Sequence, residues 1–398
     1  MPGPRSDIDP SVDLQADPQA DLQADLQADL QVDPGGLLEY SVVFTDRSLN
    51  HMSARFQGVM NDISAGLKEV YGADAVVVVP GGGTFAMEAV ARQFAAGRDC
   101  LIIRNGWFSY RWSQILEMGG FAAASTVLTA RQTGEGAQAP FAPPPLDEVV
   151  AGIRAERPAA VFAPHVETSA GLLLPDDYLR AVADAVHEVG GLFVLDSVAS
   201  GCLWVDMRAV GVDVLISAPQ KGWSSTPCAG LVMLSERARE FAETSTSTSF
   251  ACDLKKWLQI MQAYENGGHA YHATMPTDGL RQFRDTLHET RGFGYERARD
   301  AQRELGRRVR AVLEQAGFPS VAAPGFQAPG VVVSYTDDPG LQNGSRFAAQ
   351  GLQIAAGVPL MCGEPDDYRS FRIGLFGLDK LANVERTVAR LSGAVARL

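Results

Sequence analysis

Short apolar runs rich in β-branched residues alternate with amphipathic stretches over most of this chain, and this alternation strongly limits its fold. The runs predict strands at residues 75–79, 100–103, 160–163, 192–195, 214–216 and 231–234. Between them, apolar residues fall at helical spacing, as over residues 179–189. Because such alternation is typical of βαβ units, we expect an α/β protein with a mostly parallel sheet flanked by helices.

A second region follows the last of these strands. Residues 291–314 are predicted to form one long charged helix, followed by strands at 331–335 and 371–375 and a closing helix over 381–398. The length of 398 residues exceeds the size at which single hydrophobic cores stop growing. We therefore expect a large domain over residues 37–290 and a smaller C-terminal α+β domain over residues 291–398.

Residues 1–36 differ from the rest of the chain. Residues 17–31 read DPQADLQADLQADLQ, an acidic repeat with Leu at regular spacing. Such a segment buries too little apolar surface to offset the entropy of ordering, which favours a disordered acidic tail. A helix that binds a partner is the alternative.

Charge and composition narrow the partners. The formal net charge of -13 disfavours nucleic acid and anionic membranes, because both reward clustered Lys and Arg. The absence of long apolar runs and of a secretory signal predicts a cytoplasmic protein with small-molecule substrates. The five cysteines lack CxxC spacing, which favours reduced thiols and predicts no metal site.

Lys221 and Asp196 each follow a predicted strand. Lys221 lies among small residues in ISAPQKGWSSTP, and Asp196 ends the strand in FVLDSVAS. Because ligands of open parallel sheets bind beyond the carboxyl ends of strands, both side chains are expected in one crevice. A lysine that forms a Schiff base and a carboxylate beside a pyridine nitrogen are what pyridoxal 5'-phosphate (PLP) requires. Taken singly, Lys221 could be a surface lysine and Asp196 a turn residue.

A glycine turn offers a place for the phosphate. VVVVPGGGTFAMEA reads as a strand, a turn at residues 81–83 and Thr84 as the cap of a helix. Exposed N–H groups and the positive helix terminus attract anions, and glycine allows close approach. Gly82, Gly83 and Thr84 are therefore candidate phosphate-binding residues, although a plain tight turn explains the glycines equally well.

Five short motifs occur in order along the chain: HVETSAGLLLP (165–175), FVLDSVAS (193–200), SAPQKG (217–222), YHATMP (271–276) and FRIGLFG (371–377). Over roughly residues 60–398 they resemble the class V, fold-type I PLP-dependent aminotransferases of the alanine:glyoxylate and serine:pyruvate group. The matching family elements are H-x-E-[ST]-S-x-G-x-x-x-P, the aspartate segment, S-x-x-Q-K, Y-H-x-T-x-P and R-I-G-L-x-G. The resemblance implies a fold-type I PLP enzyme with a large and a small domain.

The resemblance also implies how PLP is held. Lys221 would carry the cofactor as a Schiff base, and Asp196 would bond its pyridine nitrogen. Thr168 would bond the 3'-oxygen. The phosphate would be held by Gln220 and the amides around Gly83 and Thr84.

Other matching residues would contact the ring and the substrate. Phe108, one past Trp107, would stack on the pyridine face, although either could be a core aromatic. Arg372 would clamp the substrate carboxylate, a task suited to its planar guanidinium, and a structural ion pair is the alternative. His165 could be a wall of the site or an ordinary buried histidine.

Tyr271 and Thr274 would reach the PLP phosphate of a neighbouring subunit. The resemblance therefore implies a homodimer with shared active sites. An ordinary interface role is the alternative for Tyr271.

The implied reaction is transamination between a small amino acid and a 2-oxo acid such as glyoxylate or pyruvate. The same lysine, aspartate and phosphate cradle also serve PLP-dependent lyases, desulfurases and epimerases. Cys362 is the position to examine for a desulfurase. A non-catalytic PLP-binding protein is a third alternative.

Two departures from the family pattern concern the active site, one on the substrate side and one beside the phosphate. The family's G-P-G-P-[ST] loop is replaced here by SVVFTDRSLNHMS (residues 41–53), so the resemblance does not identify the substrate. Arg47 and Asn50 in this stretch are candidates for reading a polar substrate side chain. Thr84 is the second departure, because relatives carry a larger residue beside the phosphate.

Overall fold

The computed structural model describes residues 32–37, 40 and 48–398. Of the predicted tail, therefore, only residues 32–36 are described, and Arg47 lies outside the described residues. Residues 33–36 form a turn in which the Gly36 N–H donates to the Asp33 carbonyl at 2.9 Å. Arg55 ties this turn to the first helix by donating to the Val32 carbonyl at 2.5 Å.

Strands and helices alternate through the first two thirds of the described chain. The strands are β1 (Ala75–Pro80), β2 (Asp99–Arg104), β3 (Ala124–Thr129), β4 (Arg131–Gln132), β5 (Phe141–Ala142), β6 (Ala160–Pro164), β7 (Val166–Glu167), β8 (Leu172–Leu173), β9 (Leu192–Asp196), β10 (Val214–Ser217), β11 (Ala229–Leu234), β12 (Val331–Tyr335), β13 (Ala355–Ala356) and β14 (Ser370–Gly374). The helices are α1 (Ala54–Tyr71), α2 (Gly83–Phe94), α3 (Trp107–Gly119), α4 (Leu146–Glu156), α5 (Asp176–Glu188), α6 (Met207–Val210), α7 (Glu236–Thr244), α8 (Leu254–Glu265), α9 (Thr277–Phe293), α10 (Tyr295–Gln315), α11 (Pro339–Gln342), α12 (Ser345–Ala349), α13 (Leu378–Leu381) and α14 (Val384–Val395).

A seven-stranded sheet dominates the described chain, with strand order β1-β11-β10-β9-β6-β2-β3. β2, β3, β6, β9 and β10 pair in parallel, whereas β11 runs antiparallel to both of its neighbours, β1 and β10. β1 therefore points the same way as the parallel strands. The predicted α/β class and mostly parallel sheet are confirmed, as are all six strands predicted in this region.

The central strands are mostly hydrophobic because both faces of the sheet are covered. β6, β9, β10 and β11 are buried at every position. Helices begin and end with local signals: Ser53 caps α1 by accepting from the Phe56 N–H at 3.1 Å, and α1 stops at Gly72, whose φ of 65° suits glycine. The sheet is thus a rigid frame whose connecting segments can carry function.

A smaller antiparallel sheet of order β12-β14-β13 lies in the C-terminal region. Its strands share a hydrophobic cluster with α10, α13 and α14, which includes Leu305, Val309 and Phe371. Another hydrophobic cluster, containing Phe141, Val331 and Tyr335, joins this sheet to β5 and β8.

Two predicted helices are wrong in their extent. Residues 291–314 are not one helix, because α9 ends at Phe293 and α10 starts at Tyr295, with Gly294 between them at φ 96°. The closing helix over 381–398 is divided, since Asn383 caps a new helix by accepting from the Arg386 N–H at 2.9 Å. No helix in the described part of the chain is long and apolar enough to cross a membrane.

Candidate active site

Asp196, Lys221 and the glycine turn meet at one edge of the large sheet. Asp196 ends β9 and is paired with Ile216 of the parallel strand β10. Lys221 lies in the segment that joins β10 to β11, and the glycine turn follows β1. Because β1 and β10 point the same way, all three connections leave the sheet at the same edge. The shared edge expected from the sequence is confirmed.

The Asp196 carboxylate is buried. The residue is 9% exposed, and Oδ1 accepts a hydrogen bond from the Val198 N–H at 3.0 Å. Burial raises the pKa of Asp196 to about 6, although the Val198 N–H, Arg111 and Lys221 act in the opposite direction. A cation placed beside this carboxylate would stabilise its charged form.

Lys221 is half-buried in an environment that favours its neutral form. Burial lowers the pKa of Lys221, as do the positive charges of Arg372 and Arg111, while Asp196 opposes them. Nζ lies 5.5 Å from the centroid of the Phe376 ring. The next residue, Gly222, packs so tightly on Gly201 that a Cβ would overlap its backbone, which fixes the segment carrying the lysine.

The turn after β1 leads directly into α2. Gly82 is the residue before the helix, and a Cβ on Gly83 would lie 2.9 Å from Val198 Cγ2. The prediction that Thr84 caps the helix is wrong, because α2 already begins at Gly83 and its N-cap makes no side-chain hydrogen bond. Thr84 instead accepts a hydrogen bond from Arg111 Nη1 at 3.0 Å. The helix start, free of a capping side chain, can bind an anion.

Gln220 gives a second reason to place a polar group here. Its Oε1 is buried and has no hydrogen-bond partner within the described chain. Buried polar atoms are nearly always hydrogen-bonded, and an amide oxygen without a partner leaves the Gln220 side chain able to reorient toward a bound group. A side-chain amide next to Lys221 can turn its N–H₂ toward a bound phosphate. The residues present therefore fit PLP.

Phe108 lies close to two guanidinium groups. Arg111 Cζ is 4.8 Å and Arg372 Cζ is 5.4 Å from the centroid of its ring. Arg372 is half-buried on β14, and its Nε donates to the Ala356 carbonyl at 2.7 Å. Trp107 turns instead toward Tyr110, with ring centroids 5.9 Å apart. The structure thus brings Phe108, rather than Trp107, next to Arg372.

Arg111 is a site residue that was not predicted from the sequence. It lies one helical turn after Phe108 on α3, and that spacing is the signal that could have shown the two side chains on one face. Arg111 contributes to the electrostatics of both Asp196 and Lys221. It is therefore a further candidate for binding an anionic group in the site.

Glu167 was also missed, although the HVETSAG motif contains it. Its fully buried carboxylate accepts hydrogen bonds from the Phe108 N–H (3.2 Å), the Ser109 N–H (2.9 Å) and the Ser109 hydroxyl (2.7 Å). It also accepts from the Ser169 N–H (3.1 Å) and hydroxyl (2.7 Å). Glu167 therefore caps α3 from outside the helix and fixes the backbone of Phe108.

Thr168 and His165 belong to the same motif but differ in surroundings. Thr168 is half-buried beside Glu167. His165 is buried, and its Nδ1 is 2.7 Å from the Ser200 hydroxyl. Burial lowers the pKa of His165 to about 4, so the imidazole is neutral. It lines a cavity beside α10, and the structure gives it the character of a satisfied buried histidine.

Tyr271 and Thr274 are not joined to the other site residues within one chain. Tyr271 is 63% exposed, and its hydroxyl lies 3.5 Å from that of Thr274. Within the described residues, neither hydroxyl hydrogen-bonds to Lys221 or Gln220. An exposed tyrosine of this kind is available to another molecule.

Cys362 lacks the properties of a nucleophile. Burial raises the pKa of its thiol to about 12, and the negative Glu167 and Glu364 act in the same direction. Sγ donates to the Arg104 carbonyl at 3.4 Å. A thiol of this kind stays protonated near neutral pH, whereas nucleophilic cysteines are thiolates.

Comparison with known proteins agrees with this geometry. The class-V aminotransferase family matches residues 37–336. The chain is 30% identical over 360 residues to 2-aminoethylphosphonate–pyruvate transaminase 2 of Paraburkholderia xenovorans, covering 89% of this chain and 90% of that protein. It is 25% identical over 370 residues to alanine–glyoxylate aminotransferase of Rattus norvegicus, covering 88% and 82%. The crystal structure of alanine–glyoxylate aminotransferase from Nostoc sp. has the same fold, with a TM-score of 0.74 and 22% identity over 88% of this chain and 89% of that one.

The chain therefore belongs to the class-V aminotransferase family. It is a PLP-dependent aminotransferase of fold type I.

Proposed function

We propose that Lys221 carries the cofactor and that the enzyme moves an amino group from a small amino acid to glyoxylate or pyruvate. The observation that carries this proposal is a half-buried lysine of lowered pKa beside a buried carboxylate at one sheet edge. The names of two relatives support the choice of amino acceptor, because one enzyme is named for pyruvate and the other for glyoxylate.

Asp196 and Lys221 would have different roles in the handling of protons: one holds a proton on the cofactor, and the other transfers a proton from the substrate. When bound, PLP supplies an aldehyde for covalent attachment and a ring that withdraws electrons. Asp196 would hold a proton on the pyridine nitrogen, because its buried carboxylate is stabilised by an adjacent cation. Lys221 would accept the proton from the substrate Cα, since its lowered pKa increases the fraction of neutral amine that can act as a base.

The remaining site residues would bind and orient the cofactor and the substrate. Phe108 would lie against the ring and Thr168 would bond its 3'-oxygen. Gly82, Gly83, Thr84 and Gln220 would hold the phosphate at the start of α2. Arg372 would clamp the substrate carboxylate. Its Nε donates to the Ala356 carbonyl, so the two terminal nitrogens of the guanidinium remain to form a two-pronged contact.

A homodimer is the second part of the proposal. PLP phosphate carries close to two negative charges, and one helix terminus offers only about half a unit of opposite charge. The exposed Tyr271 and the neighbouring Thr274 would supply further donors to the active site of a partner subunit. We also propose a cytoplasmic location and the two-domain division at residues 290 and 291.

Mapping of the reduced cofactor adduct tests the role of Lys221. Borohydride treatment of the PLP-loaded enzyme should leave the label on the peptide that contains Lys221. Lys221→Arg should abolish labelling, whereas the matched control Lys255→Arg should be labelled fully. A label on Lys255 or Lys256 in the native enzyme would overturn the assignment.

A two-stage assay tests the reaction type. With an amino acid alone, the enzyme should release one equivalent of 2-oxo acid per site and then stop. Adding glyoxylate or pyruvate should restore continuous turnover without ammonia release. Continuous ammonia release without an acceptor would instead establish a lyase, and racemised substrate would establish an epimerase.

Mixed dimers test the shared site. Tyr271→Phe should weaken PLP binding by about 1.5–3 kcal/mol, the value of a charge-assisted hydrogen bond. A mixed dimer of a Tyr271→Phe chain and a Lys221→Ala chain that keeps Tyr271 has one site with both groups, which should regain near-normal affinity. A monomer by sedimentation, or mixed dimers no tighter than the Tyr271→Phe homodimer, would show that the site is built within one chain.

A further inference from the structure

A cavity of about 430 Å³ lies against α10, away from Lys221. One wall is the face of α10 that carries Arg299, Arg303, Arg307 and Arg310. The opposite wall comes from the start of α5, from residues 203–205 and from residues 325–329. His165 and residues 173–175 of the HVETSAGLLLP motif reach this cavity, but none of the proposed PLP-binding residues does. We call this space the arginine cavity.

The arrangement of the arginines is electrostatically costly. Residues 299, 303, 307 and 310 follow helical spacing and lie on one face of α10, where like charges destabilise a helix. Glu304 pairs with Arg307 at 2.8 Å, and Glu296 and Asp300 lie 3.9 and 3.8 Å from Arg299. Among the described residues, no carboxylate lies within ion-pair distance of Arg303 or Arg310. Asp176 is the acidic residue in the wall, so the lining carries an excess of positive charge.

Arg310 is the buried member of this set. It is 9% exposed, and Nη2 donates to the Ala328 carbonyl at 2.8 Å. Its Nε is buried with no partner within the described chain. Burial lowers the pKa of Arg310 to about 10, and the negative charge of Glu314 offsets this only in part. A buried guanidinium that lacks a counter-ion is strongly favourable for an anion that can reach it.

The wall facing the arginines is partly apolar. Leu174, Leu203 and Val205 line it together with Trp204. The volume lies within the range of sites that hold small metabolites, and such sites combine apolar walls with a few charged groups. The lining therefore suits a molecule with a short carbon body rather than a bare inorganic ion.

We propose that the arginine cavity is a second ligand site, which binds a small organic anion with two or more carboxylate or phosphate groups. Arg303 and Arg310 bind its anionic groups, and the apolar wall contacts its carbon body. The site is distinct from the one that carries PLP.

Calorimetric titration of the PLP-loaded enzyme tests the proposal with citrate, 3-phosphoglycerate and inorganic phosphate as probes. At least one organic anion should bind with one site per chain and more tightly than inorganic phosphate. Binding should weaken as salt concentration rises. Arg303→Gln should lower the affinity about tenfold or more, because a charge-assisted contact is lost. Arg303 is exposed, so this variant should fold and retain PLP.

Matched variants distinguish binding in the arginine cavity from binding in the active site and from nonspecific attraction to surface charge. Arg390→Gln removes an exposed arginine from α14, outside the cavity, and should change the affinity less than twofold. Arg372→Lys should also leave it unchanged. Loss of binding in Arg372→Lys but not in Arg303→Gln would assign the anion to the active site and overturn the proposal. Equal losses of affinity in Arg303→Gln and Arg390→Gln would show nonspecific attraction to surface charge and overturn it as well. Absence of binding by every probe would also overturn the proposal.

The acidic N-terminal segment offers the same carboxylate chemistry from within the chain. Deleting residues 1–31 should leave the affinity for the organic anion unchanged. A tenfold rise on deletion would show that the chain's own aspartates occupy the cavity, which would overturn a small-molecule ligand.

Discussion

Replacing Arg372 with lysine tests the substrate side of the active site. In the native enzyme Arg372 Nε is held by the Ala356 carbonyl at 2.7 Å, which leaves the two terminal nitrogens for a carboxylate. Lysine keeps the positive charge but has one nitrogen, so it cannot make the backbone contact and a two-pronged contact together. We expect the loss of at least one charge-assisted hydrogen bond, worth about 1.5–3 kcal/mol.

That free energy corresponds to a rise of about ten- to hundredfold in the KM for the amino donor, since about 1.4 kcal/mol is a factor of ten. Steady-state kinetics over a range of donor concentrations gives KM, and absorbance of the bound cofactor gives the PLP content. The PLP content should not change, because Arg372 is assigned to the substrate.

Arg369→Lys is the matched control. Arg369 lies just before β14, and its Nη1 donates to the Asp337 carbonyl at 3.1 Å, outside the site. It should change the KM less than twofold. An unchanged KM in Arg372→Lys would refute the clamp, and a raised KM in Arg111→Lys would then transfer the role to Arg111, whose guanidinium also lies close to the Phe108 ring.

Further predictions concern the cofactor, the helix cap, the thiol and the tail. PLP affinity should fall as pH decreases through about 6, because protonation of Asp196 removes the charge that pairs with the pyridine nitrogen. The Asp196→Asn variant should bind PLP more weakly, and its affinity should not show this decrease near pH 6 in titrations from pH 5 to 8. Glu167→Gln should destabilise the protein by about 1–3 kcal/mol in urea unfolding and weaken PLP binding, because the N–H and the hydroxyl of Ser109 lose a carboxylate oxygen as their acceptor. Wild-type stability and wild-type PLP affinity in this variant would contradict a role of Glu167 in positioning Phe108. Cys362→Ser should keep aminotransferase turnover in the two-stage assay, whereas complete loss with PLP still bound would give the thiol a chemical role. Deleting residues 1–31, which keeps the Val32 carbonyl that Arg55 binds, should leave the PLP content unchanged and the melting temperature nearly so, and a large drop in melting temperature would show that the deleted segment is docked.

Six of the seven strands of the large sheet were predictable from the sequence because they are almost entirely buried, whereas the edge strand β3, exposed or half-buried at every position, was not predicted. β9 and β10, for example, read as uninterrupted apolar runs, so their positions needed no tertiary information. The direction of β11 was not predicted, since an apolar run looks the same in a parallel and an antiparallel strand. The break at Gly294 was hidden by helical spacing that continues on both sides of it.

The active site was predictable to the extent that its residues follow strands. Asp196 and Lys221 could be placed at one edge from strand ends alone. Glu167 and Arg111 were missed because their importance depends on tertiary contacts: Glu167 reaches the start of α3, and Arg111 reaches Thr84 on α2. Spacing within a single motif does not report contacts between elements so distant in sequence.

Arg372 and Phe376 come from the three-stranded sheet and the segment after it, whereas Asp196 and Lys221 come from the large sheet and its connections. The two halves of the active site can therefore be varied separately. Mutant libraries confined to the exposed and half-buried positions of residues 355–376 should yield changed donor preference in selections while most clones still retain the cofactor. Gly357 must be kept in these libraries, because a Cβ there would overlap the Ser370 carbonyl. Libraries around Gly222 should yield few surviving clones, because any side chain there collides with Gly201. Directed evolution toward new substrates would thus begin on the smaller sheet.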